Sequence, residues 1–121
     1  MYISGKVIGG NRRGGKLGFP TANIELKEKL ESGVSAGEVE VNGKKYKAAI
    51  FIGKEGKILE AHIIGFEGDL YGKEIKVKII KKIRNVWKFR SDKELKRQIG
   101  EDIKIIKKIS LNLSFLKRGK N

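Results

Sequence analysis

Four small groups of residues carry side chains able to do chemistry, and each also has a plainer use. Thr21 and Asn23 directly follow Pro20. If that piece is extended, their side chains point to the same side. A hydroxyl and an amide oxygen so placed can share a cation or a phosphate. A magnesium-like ion needs few protein ligands, because phosphates and water complete its shell. The same two groups can also satisfy local backbone at a strand start. Upstream lies the stretch Gly9 to Gly18, GGNRRGGKLG. Its glycines permit tight turns and close approach of a ligand to the backbone. Consecutive amides there can form an anion nest, with Arg12, Arg13 and Lys16 adding charge. The spacing is not that of a P-loop and no helix pattern follows, so a long turn between strands is the plain alternative. Glu60, in Ile58-Leu59-Glu60-Ala61-His62, can act as general base for a hydroxyl nucleophile or pair with a surface lysine. His62 shares its face, but a lone histidine on a strand is more often a hydrogen-bonded structural residue. Arg84, Trp87, Phe89 and Arg90 form an aromatic and basic junction, where Trp87 either packs under a following helix or borders a flat ring ligand.

The elements that must position these groups read as short strands followed by one helix. Strands are expected at Tyr2 to Ile8, Ala22 to Leu26, Gly37 to Val41, Lys44 to Ile52, Ile58 to Ile64 and Glu74 to Ile83, with Lys27 to Ser35 as a polar connection. Pro20 biases Phe19 toward extended backbone. Asn42-Gly43 is a strong hairpin signal, because both central positions of a type I′ turn take positive φ. Ile75, Val77 and Ile79 alternate with Lys76 and Lys78, the period of a strand with one wet face. The period then changes. Ser91 followed by Glu94 has capping-box spacing. Leu95, Ile99, Ile103 and Ile106 make an apolar stripe over an expected helix at 92–108, with Asp102 at the edge of the stripe and Gly100 a weakness within it. The fold class is therefore all-β: a small six-stranded antiparallel Greek-key barrel over residues 1–109, with a C-terminal amphipathic helix packed against it. Residues 110–121 form a tail that packs in part and then frays.

Composition narrows the chemistry. The 121 residues fit one domain. There is no cysteine and only one histidine, so any metal must be held mainly by oxygen ligands. No signal peptide and no membrane span are visible, and a cytoplasmic monomer with no obligate protein partner is the expectation. Lys and Arg number 28 against 14 acidic residues, for a net charge of +14. That field draws anions without choosing among nucleotides, nucleic acids and acidic membranes. The lysines are spread along the chain and aromatics make up only 7%, unlike a surface built to read unpaired bases. Nucleic-acid binding is expected only as a non-specific effect of charge.

These segments occur in a familiar order. Gly5-Lys6-Val7-Ile8-Gly9-Gly10 with Arg13-Gly14-Gly15-Lys16-Leu17-Gly18-Phe19-Pro20-Thr21-Ala22-Asn23-Ile24 resembles the start of the riboflavin kinase domain. Glu60 to Gly72 resembles its second signature. Ile83-Arg84, Lys88-Phe89, Leu95, Gln98-Ile99 and Asp102-Ile103 resemble its third. The resemblance covers about residues 1 to 108. That domain occurs alone or as the C-terminal half of a bifunctional flavokinase and FAD synthetase. The resemblance implies a six-stranded barrel with a C-terminal helix. It implies ATP and riboflavin as substrates, FMN and ADP as products, and a divalent ion, usually Mg2+. It assigns Gly9, Gly14, Lys16, Gly18, Pro20, Thr21 and Asn23 to the nucleotide, with Thr21 and Asn23 also metal ligands. Glu60 becomes the base for the ribityl 5′-hydroxyl, and Arg84, Trp87 and Phe89 lie on the flavin side. Four positions depart from the family pattern. Gly15 stands where an Arg is common, Ser35 where a Tyr is, Phe51 where an Asn is, and Val86 where an acid is. Two other readings stand beside the kinase: a flavin- or nucleotide-binding barrel without turnover, and a basic nucleic-acid-binding barrel.

Overall fold

The computed structural model describes residues 2–10 and 21–109. Six strands are present: β1 (Ile3–Gly10), β2 (Ala22–Glu25), β3 (Gly33–Val41), β4 (Lys44–Ile52), β5 (Ile58–Ile63) and β6 (Glu74–Arg84). They close into a barrel in the order β1-β2-β5-β4-β3-β6, and every pairing is antiparallel. β3, β4 and β5 form a meander. β2 lies beside β5 at one end of it and β6 beside β3 at the other, which is the Greek-key relation. A helix, α1 (Asp92–Lys108), follows.

The barrel interior is filled by residues two apart on each strand: Ile24, Ile50 and Ile52, Leu59, Ala61, Val39, Val41, Ile75 and Val77 form one cluster. Closure leaves no free sheet edge, and the small residues Ala22, Ala48 and Ala61 let opposite walls approach. The hairpin between β3 and β4 turns at Asn42 and Gly43, both at positive φ. Gly53 accepts a hydrogen bond from the Gly56 amide and closes the short turn before β5.

Two boundaries differ from the sequence reading by more than one residue. β1 runs on to Gly10, because Gly9 and Gly10 pair with Asn23 and Ala22. β3 begins at Gly33, so Gly33 to Ala36 belong to a strand and not to a connection. Its residues from Gly33 to Val39 are all buried. A strand covered on both faces loses the alternation that would betray it.

The helix begins as expected at Ser91, whose hydroxyl accepts from the Glu94 amide at 3.2 Å. The returning half of the capping box is displaced: the Glu94 carboxylate accepts from the amide of Arg90, not of Ser91. At the other end, Lys47 of β4 donates to the carbonyl of Lys107 at 2.6 Å. That bond satisfies one of the orphan carbonyls of the last turn and pins α1 to the outer wall of β4.

A cavity between the barrel wall and the helix

The residues that alternate with the core point outward, and five of them line up across the wall. Asn23 of β2 pairs with Glu60 of β5, Glu60 with Phe51 of β4, Phe51 with Val34 of β3, and Val34 with Arg84 of β6. Paired residues in a ladder share a face, so Glu60 sits directly beside Asn23 on one side and Phe51 on the other. The delivery of Arg84 to this row depends on a register shift. Ser35 pairs with Lys82, yet Val34 pairs with Arg84 and skips Ile83. A bulge of this kind re-aims the side chains beyond it.

Glu60, Phe51, Val34 and Arg84 of this row line a cavity of about 480 Å³, within the usual range for small-molecule sites. Thr21, Glu60 and His62 line its polar part. Val34 and Phe51 of the wall, Trp87 and Phe89 of the β6–α1 loop, and Leu95 and Ile99 of α1 line the apolar part. The helix stripe read from the sequence is thus divided. Ile106 is buried against the barrel, while Leu95 and Ile99 are half-buried because the cavity lies beneath them.

Two oxygens at the polar end stand out. Thr21 Oγ1 and Asn23 Oδ1 are both buried and, among the described residues, have no hydrogen-bond partner. A buried polar atom without a partner costs free energy and calls for an explanation. Among the described residues no three His, Cys, Asp or Glu side chains gather as metal ligands. Two neutral oxygens suit a hard cation whose remaining ligands come from phosphate and water, so these residues fit the divalent ion expected from the sequence.

At the opposite end Arg84 and Asp102 hold one another. Nε donates to Oδ1 at 2.9 Å and Nη2 to Oδ2 at 2.7 Å. Asp102 is only 3% exposed, and Gln98 donates to its Oδ1 at 3.0 Å. This pair explains the acid at the edge of the apolar stripe. The Arg84 guanidinium also lies 4.8 Å from the Trp87 ring centre and 5.9 Å from that of Phe89. Trp87 is 52% exposed. It is not packed away under the helix but lines the cavity.

The positions singled out in the sequence are therefore distributed as follows. Thr21, Glu60, Arg84, Trp87 and Phe89 share one cavity. Asn23 adjoins it beside Glu60, and Gly9 lies across the β1–β2 pair from Asn23. Gly14, Lys16, Gly18 and Pro20 lie outside the described residues. Sequence reasoning passed over His62, Lys88 and Asp102 as site residues, and all three line the cavity. The signals available in the sequence were the face His62 shares with Glu60, the place of Lys88 and Asp102 in the third resembling segment, and an acid at the edge of the helix stripe.

A model of the riboflavin kinase family matches residues 1–110. The chain belongs to the riboflavin kinase family. The bifunctional riboflavin kinase/FMN adenylyltransferase of Buchnera aphidicola subsp. Schizaphis graminum is 43% identical to it, over 88% of this chain and 38% of that protein. The chain thus spans well under half the length of this curated relative. A crystal structure of riboflavin kinase from Trypanosoma brucei superposes with a TM-score of 0.63 at 28% identity, over 88% of this chain and 74% of that one. A Streptococcus pneumoniae structure described as a macrolide-efflux protein superposes with a TM-score of 0.81 at 31% identity, over 90% of this chain and 39% of that one. The barrel and helix expected from the sequence are thus the fold of this family. Among the described residues, no helix is long and apolar enough to cross a membrane.

Proposed function

We propose that this chain transfers the terminal phosphoryl group of ATP to the ribityl 5′-hydroxyl of riboflavin, giving FMN and ADP. The observation that carries this reading is the adjacency of Asn23 and Glu60 in the β2–β5 ladder. It joins an unpartnered oxygen pair to a carboxylate on the floor of a cavity with an apolar far end. A triphosphate, a hydroxyl nucleophile and a flat ring need these three features in this order.

The roles follow from position. Glu60 accepts the proton of the 5′-hydroxyl as that oxygen bonds to the γ-phosphorus and the bond to ADP breaks. Phosphoryl transfer asks for alignment and charge neutralisation more than for covalent help. Thr21 Oγ1 and Asn23 Oδ1 would hold a divalent ion, and that ion supplies neutralising charge on the phosphates when bound. Val34, Phe51, Trp87 and Phe89 take the ring by apolar contact and stacking. Enclosure between wall and helix keeps water from competing as acceptor. In this reading Gly9, Gly14, Lys16, Gly18 and Pro20 cradle the phosphates of the nucleotide. The protein works on small molecules, as a monomer.

Purified chain incubated with riboflavin, ATP and Mg2+ is expected to form FMN, scored by chromatography. Glu60→Gln is expected to lower turnover about 100-fold or more and to leave nucleotide binding within about twofold of wild type, since it removes a proton acceptor and not a phosphate contact. Full activity in that variant would remove Glu60 from the base role, and no FMN with any nucleotide or divalent ion would remove the kinase reading itself.

A further inference from the structure

The β6–α1 loop has little packing of its own. Residues 85–91 include no fully buried side chain, and Trp87 is half in solvent. What gives the loop a fixed shape is the side chain of Arg84. Its guanidinium accounts for a bidentate pair with Asp102, a hydrogen bond from Nη1 to the Asn85 carbonyl at 3.0 Å, and ring contacts with Trp87 and Phe89. One planar group therefore touches the start, the middle and the end of the loop. It is itself held by a residue on a different element. A fork-to-fork pair fixes the plane of the guanidinium as well as its position, and the plane is what an aromatic ring stacks upon.

We propose that Asp102 is a positioning residue for ring-substrate binding. It acts through Arg84 to hold Trp87 and Phe89 at the apolar end of the cavity, and its own carboxylate is committed to Arg84 and Gln98. This rests on the flavin reading of the cavity. It adds a residue on α1 that sets the geometry of the ring site. It also explains the cost accepted in burying a charged pair where apolar residues of similar size would be no less stable. An apolar pair would fill the space but would give the two rings no flat surface to rest on.

The experiment uses the full chain and its single tryptophan. Asp102→Asn keeps the side chain's shape, removes its charge and breaks the fork. It is expected to shift Trp87 emission to the red and to increase quenching by iodide in the absence of any ligand. The KM for riboflavin is expected to rise about tenfold, the equivalent of about 1.4 kcal/mol, with kcat at saturation within about threefold and the KM for ATP within about twofold of wild type, the pattern of a lost binding contribution on one substrate only. Arg84→Lys retains the charge and loses the plane, so it is expected to give the same split. It decides the matter if circular dichroism shows Asp102→Asn to be unfolded. A variant whose Trp87 exposure changes while the KM for riboflavin does not would overturn the positioning role. Equal losses for both substrates would do so too, because they would mark a merely structural pair. If wild type binds no riboflavin at all, the flavin reading fails on its own, and Trp87 exposure in the two variants still decides whether the clamp orders the loop.

Discussion

At the scale of single residues, the two unpartnered oxygens oppose stability and function. Thr21 Oγ1 is desolvated, with no compensating hydrogen bond among the described residues. Replacing such a hydroxyl with a methyl group removes a penalty of about 1–3 kcal/mol. Thr21→Val is therefore expected to raise the melting temperature of the ligand-free protein by a few degrees, at roughly 2–8 °C per kcal/mol for domains of this order of size. The same change takes away a proposed cation ligand, so the further stabilisation on adding ATP with Mg2+ should shrink. Thr21→Ser keeps the oxygen and should behave like wild type with ligand. Differential scanning fluorimetry with and without the nucleotide reads both effects. A Thr21→Val protein that gains no stability alone, or that responds to ATP with Mg2+ as wild type does, would contradict the assignment. Glu60 differs in kind. Its position beside Asn23 comes from strand pairing between segments some 35 residues apart in sequence, and no local pattern in either segment encodes it.

At the scale of elements, the wall beneath the cavity is shaped by small residues in β3. A Cβ on Gly37 would stand 2.6 Å from the Lys78 carbonyl oxygen and 2.7 Å from Ile50 Cγ1. The first obstacle is backbone and cannot step aside. Gly37 also sits where the pairing with β6 shifts register, between Ala36 opposite Lys81 and Gly37 opposite Ile79. Gly37→Ala is expected to destabilise the fold by about 1–3 kcal/mol, as overpacking does. Gly100 in α1 meets nothing within 4 Å, so Gly100→Ala is expected to stabilise by about 0.5–1 kcal/mol through helix propensity. Chemical denaturation of the two variants side by side checks both signs, and a stable Gly37→Ala protein would mean that β3 and β6 can separate without cost. These elements also show what could be read in advance. β4 was readable because Asn42-Gly43 fixes where it starts, and α1 because Ser91 and the stripe fix its bounds. The first third of β3 was not, because its two faces are covered by the core on one side and by the cavity elements on the other. The bulges in β6 left a trace: after Ile79 the alternation gives way to Ile80-Lys81-Lys82-Ile83. That trace shows that the register slips and not which residue it brings to the cavity row. Arg84 reaches Asp102 only once strand, bulge and helix are all in place.

At the scale of the whole molecule, the charge of +14 is arranged differently at the two ends of the same wall. The outer face of β3 passes from Val34 at the cavity through Ala36 to Glu38 and Glu40 farther along. There Glu38 pairs across to Lys47 and Lys78, and Glu40 to Lys45 and Lys76. The Tyr2 hydroxyl also approaches Glu38 Oε1, at 3.4 Å. Each glutamate is thus flanked in the ladder by two lysines, and this stretch of wall keeps a net positive charge. A surface of this kind attracts polyanions by counterion release alone. Single-stranded RNA is expected to bind weakly at 50 mM salt and to lose most of that affinity by about 200 mM, whatever its sequence. The contacts proposed for catalysis lie inside a cavity, where salt screens little. FMN formation should therefore fall only a few-fold over the same range, as the long-range attraction for ATP is screened beyond a Debye length of about 8–10 Å. Filter binding and the FMN assay, run across one salt series, set the two dependences side by side. RNA binding that persists at high salt, saturates and excludes ATP would reverse the assignment and make the basic barrel a nucleic-acid module. The predicted divergence of the two curves instead separates a charge that concentrates anions around the molecule from the few oxygens and rings that select among them.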